Sequence, residues 1–165
     1  MTTALFIGRF QPFHLGHLKV LEWAADRNDK LLVGIGSSQE QGTEKNPFSF
    51  EQRKQMIETS MKIDQSKYEI YPVPDINDPP NWVKHVKDLL PHFDVVYTNS
   101  DLERELFKKA KYAVVVPPYF ARKKYKATDI RRSIKENGNW RQLVPEGTRK
   151  VIEEVGGEEK IKELS

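Results

Sequence analysis

The chain has 165 residues, the size of one domain, and it contains no cysteine. The lack of thiols excludes a disulfide scaffold, a zinc–thiolate site, an iron–sulfur cluster and a cysteine nucleophile. The 27 basic and 24 acidic side chains leave a net charge of +3, too small for a dedicated nucleic-acid binder. The N-terminus has no signal-peptide pattern and no stretch is apolar enough for a membrane helix, so we expect a cytoplasmic protein.

Short apolar runs alternate with helical patterns along the whole chain. In chain order, the predicted strands cover 4–10, 31–36, 68–73, 93–98 and 112–116. The predicted helices cover 15–26, 50–62, 82–90, 101–110 and 128–136. One or two helices from about 139 onwards are expected to pack on this domain or to extend it. The alternation predicts one α/β domain over 1–165, with a five-stranded parallel sheet and helices on both faces.

The loop between the first strand and the first helix holds most of the chemistry. From Gly8 to His17 it reads Gly-Arg-Phe-Gln-Pro-Phe-His-Leu-Gly-His, and ligands bind in loops that follow the carboxyl ends of parallel strands. His14 and His17, three residues apart, face the same way on the opening turn of a helix. Gly16 leaves room between them, while the helix N-terminus and Arg9 add positive charge. The loop predicts a polyphosphate cradle, because a histidine pair without a third ligand makes a poor zinc site.

The segment His14-Leu15-Gly16-His17 resembles the HxGH signature of the nucleotidyltransferase superfamily. The wider loop from Gly8 resembles the archaeal type of nicotinamide mononucleotide adenylyltransferase, a family that makes NAD from ATP and nicotinamide mononucleotide. This resemblance covers nearly the whole chain and implies a Rossmann-like fold. It implies that His14 and His17 are catalytic. It also implies ATP contacts at Gly8, Arg9, Phe10 and Gly16.

A second element of the superfamily, Ser/Thr-x-Ile-Arg, is matched by Thr128-Asp129-Ile130-Arg131. Thr128 is expected to cap the helix and to place its hydroxyl and the next N–H groups near phosphates. Arg131 supplies a planar donor fork that suits phosphate oxygens. The resemblance implies a catalytic role for Arg131 and ATP contacts for Thr128 and Ile130. Taken alone, the element is an ordinary capped helix on a solvated basic surface, and Lys126 replaces a small residue of the family.

Basic residues after the second strand extend this comparison. Lys45 stands where related archaeal sequences place a phosphate-binding arginine. It keeps the charge but loses the bidentate fork, and we expect it to bind ATP phosphates. Ser49 and Gln52 have the form of a capping box that opens the next helix. Arg53 follows in the first turn and fits the family's pattern, but it is given no role because such an arginine is ordinarily solvated.

Asp75 and Trp82 flank the proline-rich loop after the third strand. A tryptophan at the rim of such a loop can stack on a flat cationic ring, and nicotinamide mononucleotide carries a pyridinium ring. In the resembled family the residues that match Asp75 and Trp82 lie in the mononucleotide pocket, where Asp75 could orient a ribose hydroxyl or the carboxamide. The alternative is that Trp82 opens a helix and packs inward, as tryptophan often does. Without the resemblance the two interpretations are even.

The resemblance also implies a reaction and its partners. The 5′-phosphate of the mononucleotide attacks the α-phosphate of ATP, and NAD and pyrophosphate result. No covalent nucleophile is needed, because the phosphate is itself the nucleophile. Mg²⁺ is expected with ATP, held mainly by phosphates and water, with no metal site on the protein. Tyr119 and Phe120 are expected to wall the adenine, and a homo-oligomer, a hexamer in the resembled family, is implied.

Three alternatives remain open on the motifs. Pantetheine-phosphate adenylyltransferases and CTP-dependent cytidylyltransferases share the triphosphate half of the site and differ around 75–82. A nucleic-acid-binding module that uses the basic run 122–132 would bind with a steep salt dependence, but it leaves His14 and His17 unexplained. A regulatory protein that binds NAD without catalysis conflicts with the apparently complete set of catalytic residues. Nicotinamide and nicotinate mononucleotide are both compatible with the motifs.

Overall fold

Five parallel strands form the centre of the computed structural model, which describes residues 1–118 and 124–164. The strands are β1 (Thr3–Gly8), β2 (Lys30–Gly36), β3 (Tyr68–Val73), β4 (Val95–Tyr97) and β5 (Ala113–Val115). Their spatial order is β3-β2-β1-β4-β5. The chain reverses its direction of winding between β1 and β4, and such a switch point opens a crevice at the carboxyl ends of the strands. The predicted Rossmann-like α/β fold is confirmed.

Seven α-helices connect these strands and close the chain within the described residues. They are α1 (Leu15–Arg27), α2 (Phe50–Ser60), α3 (Trp82–Leu89), α4 (Asp101–Lys109), α5 (Ala127–Lys135), α6 (Glu146–Glu154) and α7 (Gly157–Glu163). Short 3₁₀ turns at Gln65–Lys67, Pro79–Asn81 and Trp140–Leu143 precede β3, α3 and α6. Among the helices described, none is both long and apolar enough to cross a bilayer.

Each face of the sheet packs against its own set of helices. Ala4 and Phe6 of β1 belong to an apolar cluster that includes buried residues of α1, α2, α5, α6 and α7. The residue between them, Leu5, belongs to a second cluster with Val86 of α3 and Phe107 of α4. Because both faces are covered, the central strands are apolar on both sides, as their sequences predict.

The first strand is shorter than predicted. It ends at Gly8, whereas the apolar pattern predicts a strand as far as Phe10. Phe10 has a positive φ of 55°, which breaks the extended backbone and turns its ring back towards the strand end. A Cβ atom on Gly8 would lie 2.8 Å from that ring, so the position requires glycine. The apolar pattern was misleading because Phe10 is buried without being part of the sheet.

The helix α5 begins earlier than predicted. Its N-cap is Lys126 and not Thr128, and no side chain caps it. The prediction of Thr128 as the cap is therefore wrong. Lys126 has the extended backbone of a cap residue, and the helix already starts at Ala127. Thr128 consequently lies in the first turn, where its exposed side chain still faces the carboxyl edge of the sheet.

The C-terminal helices pack on the rest of the fold. Trp140 is fully buried in the first apolar cluster, together with Ile152 of α6 and Ile161 of α7. Gly147 lets α6 approach α2 closely, because a Cβ there would lie 2.5 Å from the Thr59 hydroxyl. The helix α7 packs against α5 and places Ile161 beside the candidate site.

Candidate functional site

Three cavities lie along the carboxyl ends of the strands. The basic cavity, about 430 Å³, is lined by Arg9, Glu44, Lys45, Thr128, Arg131, Arg132, Lys135 and Ile161. The histidine cavity, about 280 Å³, includes Gly8, His14, Gly16, His17, Thr98, Glu103 and Tyr125 in its lining. The tryptophan cavity, about 190 Å³, includes Asp75, Asp78, Trp82, Ser100 and Glu103. The last two cavities share Ser100 and Glu103, so they adjoin.

The two histidines form a reciprocal capping box at the start of α1. His14 is the N-cap, and its Nδ1 accepts the amide N–H of His17 at 3.2 Å. The Nδ1 of His17 accepts the amide N–H of His14 at the same distance. Because each Nδ1 is an acceptor, the proton of each neutral ring is assigned to Nε2. The box therefore fixes the two tautomers and leaves each Nε2–H to donate.

Burial keeps both imidazoles neutral. It lowers the pKa of His14 to about 4. Burial, with the nearby His14 as a second cause, holds the pKa of His17 well below its usual value. The rings stack with centroids 3.5 Å apart. At neutral pH the pair thus offers N–H donors and no net charge of its own.

Gly16 is required by close packing around the pair. A Cβ atom there would lie 3.0 Å from Cε1 of His14 and 3.1 Å from Cβ of Tyr125. Either neighbour would have to shift to admit it. Gly16 thus sets the position of the His14 ring as well as the space beside it.

The Phe10 side chain packs against His17 and lines none of the three cavities. Its side chain is 1% exposed. Its ring meets the His17 ring edge-on at 4.8 Å between centroids. The sequence predicts that Phe10 contacts ATP, but the buried ring can only position His17 and leaves the backbone for any ligand contact.

Crowded cations characterise the basic cavity. Arg131 donates from Nη1 to the carbonyl oxygen of Gln11 at 2.7 Å, which ties α5 to the loop after β1. Burial, followed by the charge of Arg9, lowers the pKa of Arg131. Glu44 opposes that effect and forms an ion pair with Lys135 at 3.2 Å. Lys45 and Thr128 are exposed on the same cavity, so four of the predicted site residues meet there: Arg9, Lys45, Thr128 and Arg131.

Ile130 does not reach the cavity. Its side chain is completely buried in the first apolar cluster. Its amide N–H donates within the helix to the carbonyl oxygen of Lys126 at 2.9 Å. Neither group is presented to a ligand, so the predicted ATP contact of Ile130 gains no support from them, and the residue anchors the helix that carries Arg131.

Arg53 is a buried organiser that the sequence does not identify. Its side chain is 0% exposed, and burial lowers its pKa to about 10. Its guanidinium donates to five carbonyl oxygens, those of Arg9, Gly36, Ser37, Glu40 and Ser49, at 2.9–3.3 Å. Arg53 therefore fixes the chain after β1 and after β2 at once. The expectation of a solvated surface residue is wrong.

Asp75 and Trp82 line the tryptophan cavity together. Asp75 accepts a hydrogen bond from the hydroxyl of Ser37, the residue after β2. Trp82 is half-buried: it packs against the second apolar cluster and also lines the cavity. Its Nε1 has no hydrogen-bond partner among the described residues. The Trp82 ring thus packs on the core and also lines the cavity, and its stacking on a ligand stays a prediction.

Glu103 is a second residue that the sequence does not single out. It lies in the first turn of α4 and lines both the histidine and the tryptophan cavities. Burial raises its pKa to about 7, with a further rise from the charge of Asp75 and an opposing hydrogen bond with the Thr98 side chain. No motif marks this glutamate, because only the fold brings it beside the loop after β3.

Some predicted residues lie outside the described part of the chain. Tyr119 and Phe120, the expected adenine walls, are among them, as are Arg122 and Lys123 of the basic run. Within the described residues no group of three or more acidic or histidine side chains is arranged to hold a metal ion.

Comparisons with known proteins show what this chain is similar to. The family model described as cytidylyltransferase-like matches residues 5–133. A nicotinamide-nucleotide adenylyltransferase of Saccharolobus solfataricus is 44% identical over 99% of this chain and 97% of its own. One of Methanothrix thermoacetophila is 43% identical over 100% and 97%.

A solved structure is also similar to this chain. It is that of a bifunctional NMN adenylyltransferase/ADP ribose pyrophosphatase from Francisella tularensis, complexed with AMP and a manganese ion. It superimposes with a TM-score of 0.82 at 26% identity over 99% of this chain and 51% of that one. The chain thus spans about half the length of that bifunctional protein.

Proposed function

The chain belongs to the nicotinamide-nucleotide adenylyltransferases of the cytidylyltransferase-like family, and we propose that it joins ATP and nicotinamide mononucleotide to give NAD and pyrophosphate. One observation carries the proposal. A neutral, tautomer-fixed histidine pair lies beside a cavity with Trp82 and Asp75, on a sheet edge that also carries a cavity crowded with cations. An adenylyl transfer between a triphosphate and a pyridinium nucleotide needs those three parts.

The reaction is a direct displacement. An oxygen of the mononucleotide 5′-phosphate forms a bond to the α-phosphorus of ATP, and the bond from that phosphorus to the bridging oxygen of the β-phosphate breaks. Pyrophosphate leaves with the bonding electrons. Phosphoryl transfer depends on positioning and charge neutralisation, so the protein needs no covalent nucleophile and no strong base.

His14 and His17 act at the α-phosphate. Their Nε2–H groups donate to its non-bridging oxygens, where negative charge builds in the transition state. Neutral donors suit this task because they need not lose a proton before or after the transfer. Gly8 and Gly16 line the histidine cavity beside the start of α1, whose free N–H groups add to the positive potential.

The basic cavity holds the outer phosphates and the departing pyrophosphate. Arg9, Lys45 and Arg131 supply its positive charges, and Thr128 supplies a hydroxyl and the free N–H groups of the first turn of α5. ATP arrives as its magnesium complex, in which phosphates and water supply the metal ligands. Binding of the magnesium-ATP complex therefore depends on the basic side chains of this cavity.

The tryptophan cavity holds the acceptor. Trp82 stacks on the pyridinium ring, and Asp75 accepts hydrogen bonds from a ribose hydroxyl or the carboxamide. Phosphopantetheine and the usual acceptors of cytidylyl groups lack a flat cationic ring, so this cavity favours a pyridine nucleotide.

The nucleic-acid alternative is weakened because Arg131 is turned into the basic cavity and bonded to Gln11. We further propose a cytoplasmic homo-oligomer, a hexamer by family resemblance, to be measured by sedimentation equilibrium.

The test is pyrophosphate release from magnesium-ATP with three acceptors in parallel: nicotinamide mononucleotide, nicotinate mononucleotide and phosphopantetheine. We expect release with pyridine nucleotides only, with NAD as the product of the first. A reaction without acceptor measures background hydrolysis. Release with phosphopantetheine alone would keep the histidine pair and overturn the assignment of Trp82. No release from folded protein with any acceptor would reject the proposal.

A further inference from the structure

The tryptophan cavity is acidic on the side away from the indole. Its lining contains three carboxylic acids, Asp75, Asp78 and Glu103, and no lysine, arginine or histidine among the described residues. Trp82 lies on the same cavity and supplies an aromatic face. An acidic wall together with an aromatic face suits a flat ring that carries positive charge and no negative substituent.

Glu103 occupies the boundary of this cavity with the histidine cavity. Its backbone N–H donates to the Ser100 hydroxyl at 3.3 Å, which fixes the first turn of α4. The Thr98 side chain bonds its carboxylate, and Thr98 is itself buried beside β4. A glutamate held in this way lines the tryptophan cavity together with Asp75 and Trp82, where the proposed acceptor places its ring.

Resting on the proposed function, we propose that Glu103, together with Asp75, makes the site select an acceptor whose pyridinium ring carries a neutral carboxamide over one that carries a carboxylate. Nicotinamide and nicotinate mononucleotide differ only in that group. The carboxylate of the nicotinate form meets two like charges in a half-buried cavity whose described lining offers no cation in return. The carboxamide can instead donate hydrogen bonds to either acid.

The pH gives this selection a signature. Burial and the charge of Asp75 raise the pKa of Glu103 to about 7. Below that pH the carboxyl is neutral and can donate to a carboxylate, so the repulsion is relaxed. Above it Glu103 is charged and the nicotinate form is repelled. Preference for the carboxamide therefore rises as the pH rises through about 7.

The other ionisable groups around Glu103 are unchanged in the Glu103→Gln variant, so a slope that disappears in that variant belongs to Glu103. They are Asp75 and Asp78 on the loop after β3, His14 and His17 on α1, Tyr125 before α5, Asp101 and Arg104 on α4 itself, and His85 on α3. The pKa values of His14 and His17 are held far below 7 by burial. Arg104 is neutralised by its partner Asp101, and the ring of His85 is bound to the carbonyl oxygen of Pro74.

The experiment measures kcat/KM for both mononucleotides at saturating magnesium-ATP between about pH 6 and about pH 8. Three proteins are compared: the unmodified chain, Glu103→Gln, and Glu105→Gln as a matched control on the exposed side of the same helix. The readout is the ratio of the two kcat/KM values. Because both come from one preparation, the ratio does not depend on the fraction of enzyme that is folded, and the titration of the common 5′-phosphate cancels.

In the unmodified chain and in Glu105→Gln, we expect the preference for the carboxamide to rise about tenfold over this range. In Glu103→Gln the ratio is expected to be flat and to stay near its low-pH value. A Glu103→Gln variant that keeps the full slope would overturn the inference, as would an equal change in Glu105→Gln. If neither mononucleotide is adenylylated by the unmodified chain, the proposed function fails. If nicotinamide mononucleotide is adenylylated but the pH dependence of the ratio is the same in Glu103→Gln as in the unmodified chain, only this inference fails.

Discussion

The basic cavity and the tryptophan cavity lie at the same edge of one sheet and have opposite character. Five basic side chains line the first, with Glu44 as its one acid among the described residues. In the described part of the chain the second has three acids, no base and an indole. A triphosphate and a pyridinium ring also carry opposite charge. In the proposed reaction the basic cavity therefore suits the triphosphate, and the acidic cavity suits the pyridinium ring.

The two cavities also differ in how they are built. The basic cavity depends on long side chains that reach out from separate elements, such as Arg9, Lys45 and Arg131. The tryptophan cavity is formed where the loop after β3 lies against α3 and α4. Arg53 is common to both: it binds the carbonyl oxygens of Arg9 and Ser37, and the Ser37 hydroxyl binds Asp75. A single buried cation thus aligns the two halves.

The largest effect is expected where the two halves meet. His17→Ala removes an Nε2–H donor from the α-phosphate and also the acceptor for the His14 amide. We expect kcat to fall by about 10²–10³-fold, the usual cost of losing one preorganised donor to a developing charge. The KM values of both substrates should change much less, because neither outer cavity is touched. Steady-state kinetics with circular dichroism as a check of folding measures this.

A histidine outside the cavities provides the control. His92 is exposed and bonds only Asp94 in the described structure. His92→Ala should keep kcat within about twofold, as expected for a surface position. A near-normal kcat in His17→Ala, with the fold intact, would remove His17 from the transfer step and leave the two cavities without a common centre.

An intermediate effect is expected in the basic half alone. Arg131→Lys keeps the charge but loses the planar fork that bonds Gln11 and reaches the phosphates. We expect kcat/KM for ATP to fall by about 30-fold, while the KM for the mononucleotide stays within about twofold. Arg27→Lys is the matched control, since Arg27 is exposed at the far end of α1 over Trp23. Equal losses for both substrates would contradict the division into two halves.

The sequence predicts the strands, the helices and the motif residues better than it predicts the residues that hold the motifs in position. Alternating apolar runs identify the strands and helices, because burial on both faces of a parallel sheet leaves a strong local signal. The His14–His17 spacing predicts that the two side chains face the same way for the same local reason, and their rings stack in the structure. These features depend on neighbours in the chain, so they are visible without a structure.

Arg53 and Glu103 could not be found in that way. Arginine and glutamate in the first turn of a helix are ordinarily solvated, and nothing nearby in the chain distinguishes these two. Arg53 is buried because four of its five carbonyl partners come from the end of β2 and from the loops after β1 and β2. The environment of Glu103 depends on Thr98 and on Asp75, and Asp75 is distant in the chain. The motif position of Ile130 likewise does not reveal that its side chain faces the core.

The smallest effect, and the one that tests the acidic half, is expected from Trp82. Trp82→Ala removes the aromatic face and should raise the KM for nicotinamide mononucleotide by about tenfold, with the KM for ATP unchanged, because a cation–π contact in a partly desolvated site contributes about 1–2 kcal/mol. Trp82→Phe keeps an aromatic face and should recover most of the loss. Since Trp82 also packs on the second apolar cluster, the alanine variant should unfold at a lower temperature. That second effect separates two explanations: a lower melting temperature with an unchanged mononucleotide KM would make Trp82 a core residue only, and the acidic cavity would then lack the aromatic face that completes it.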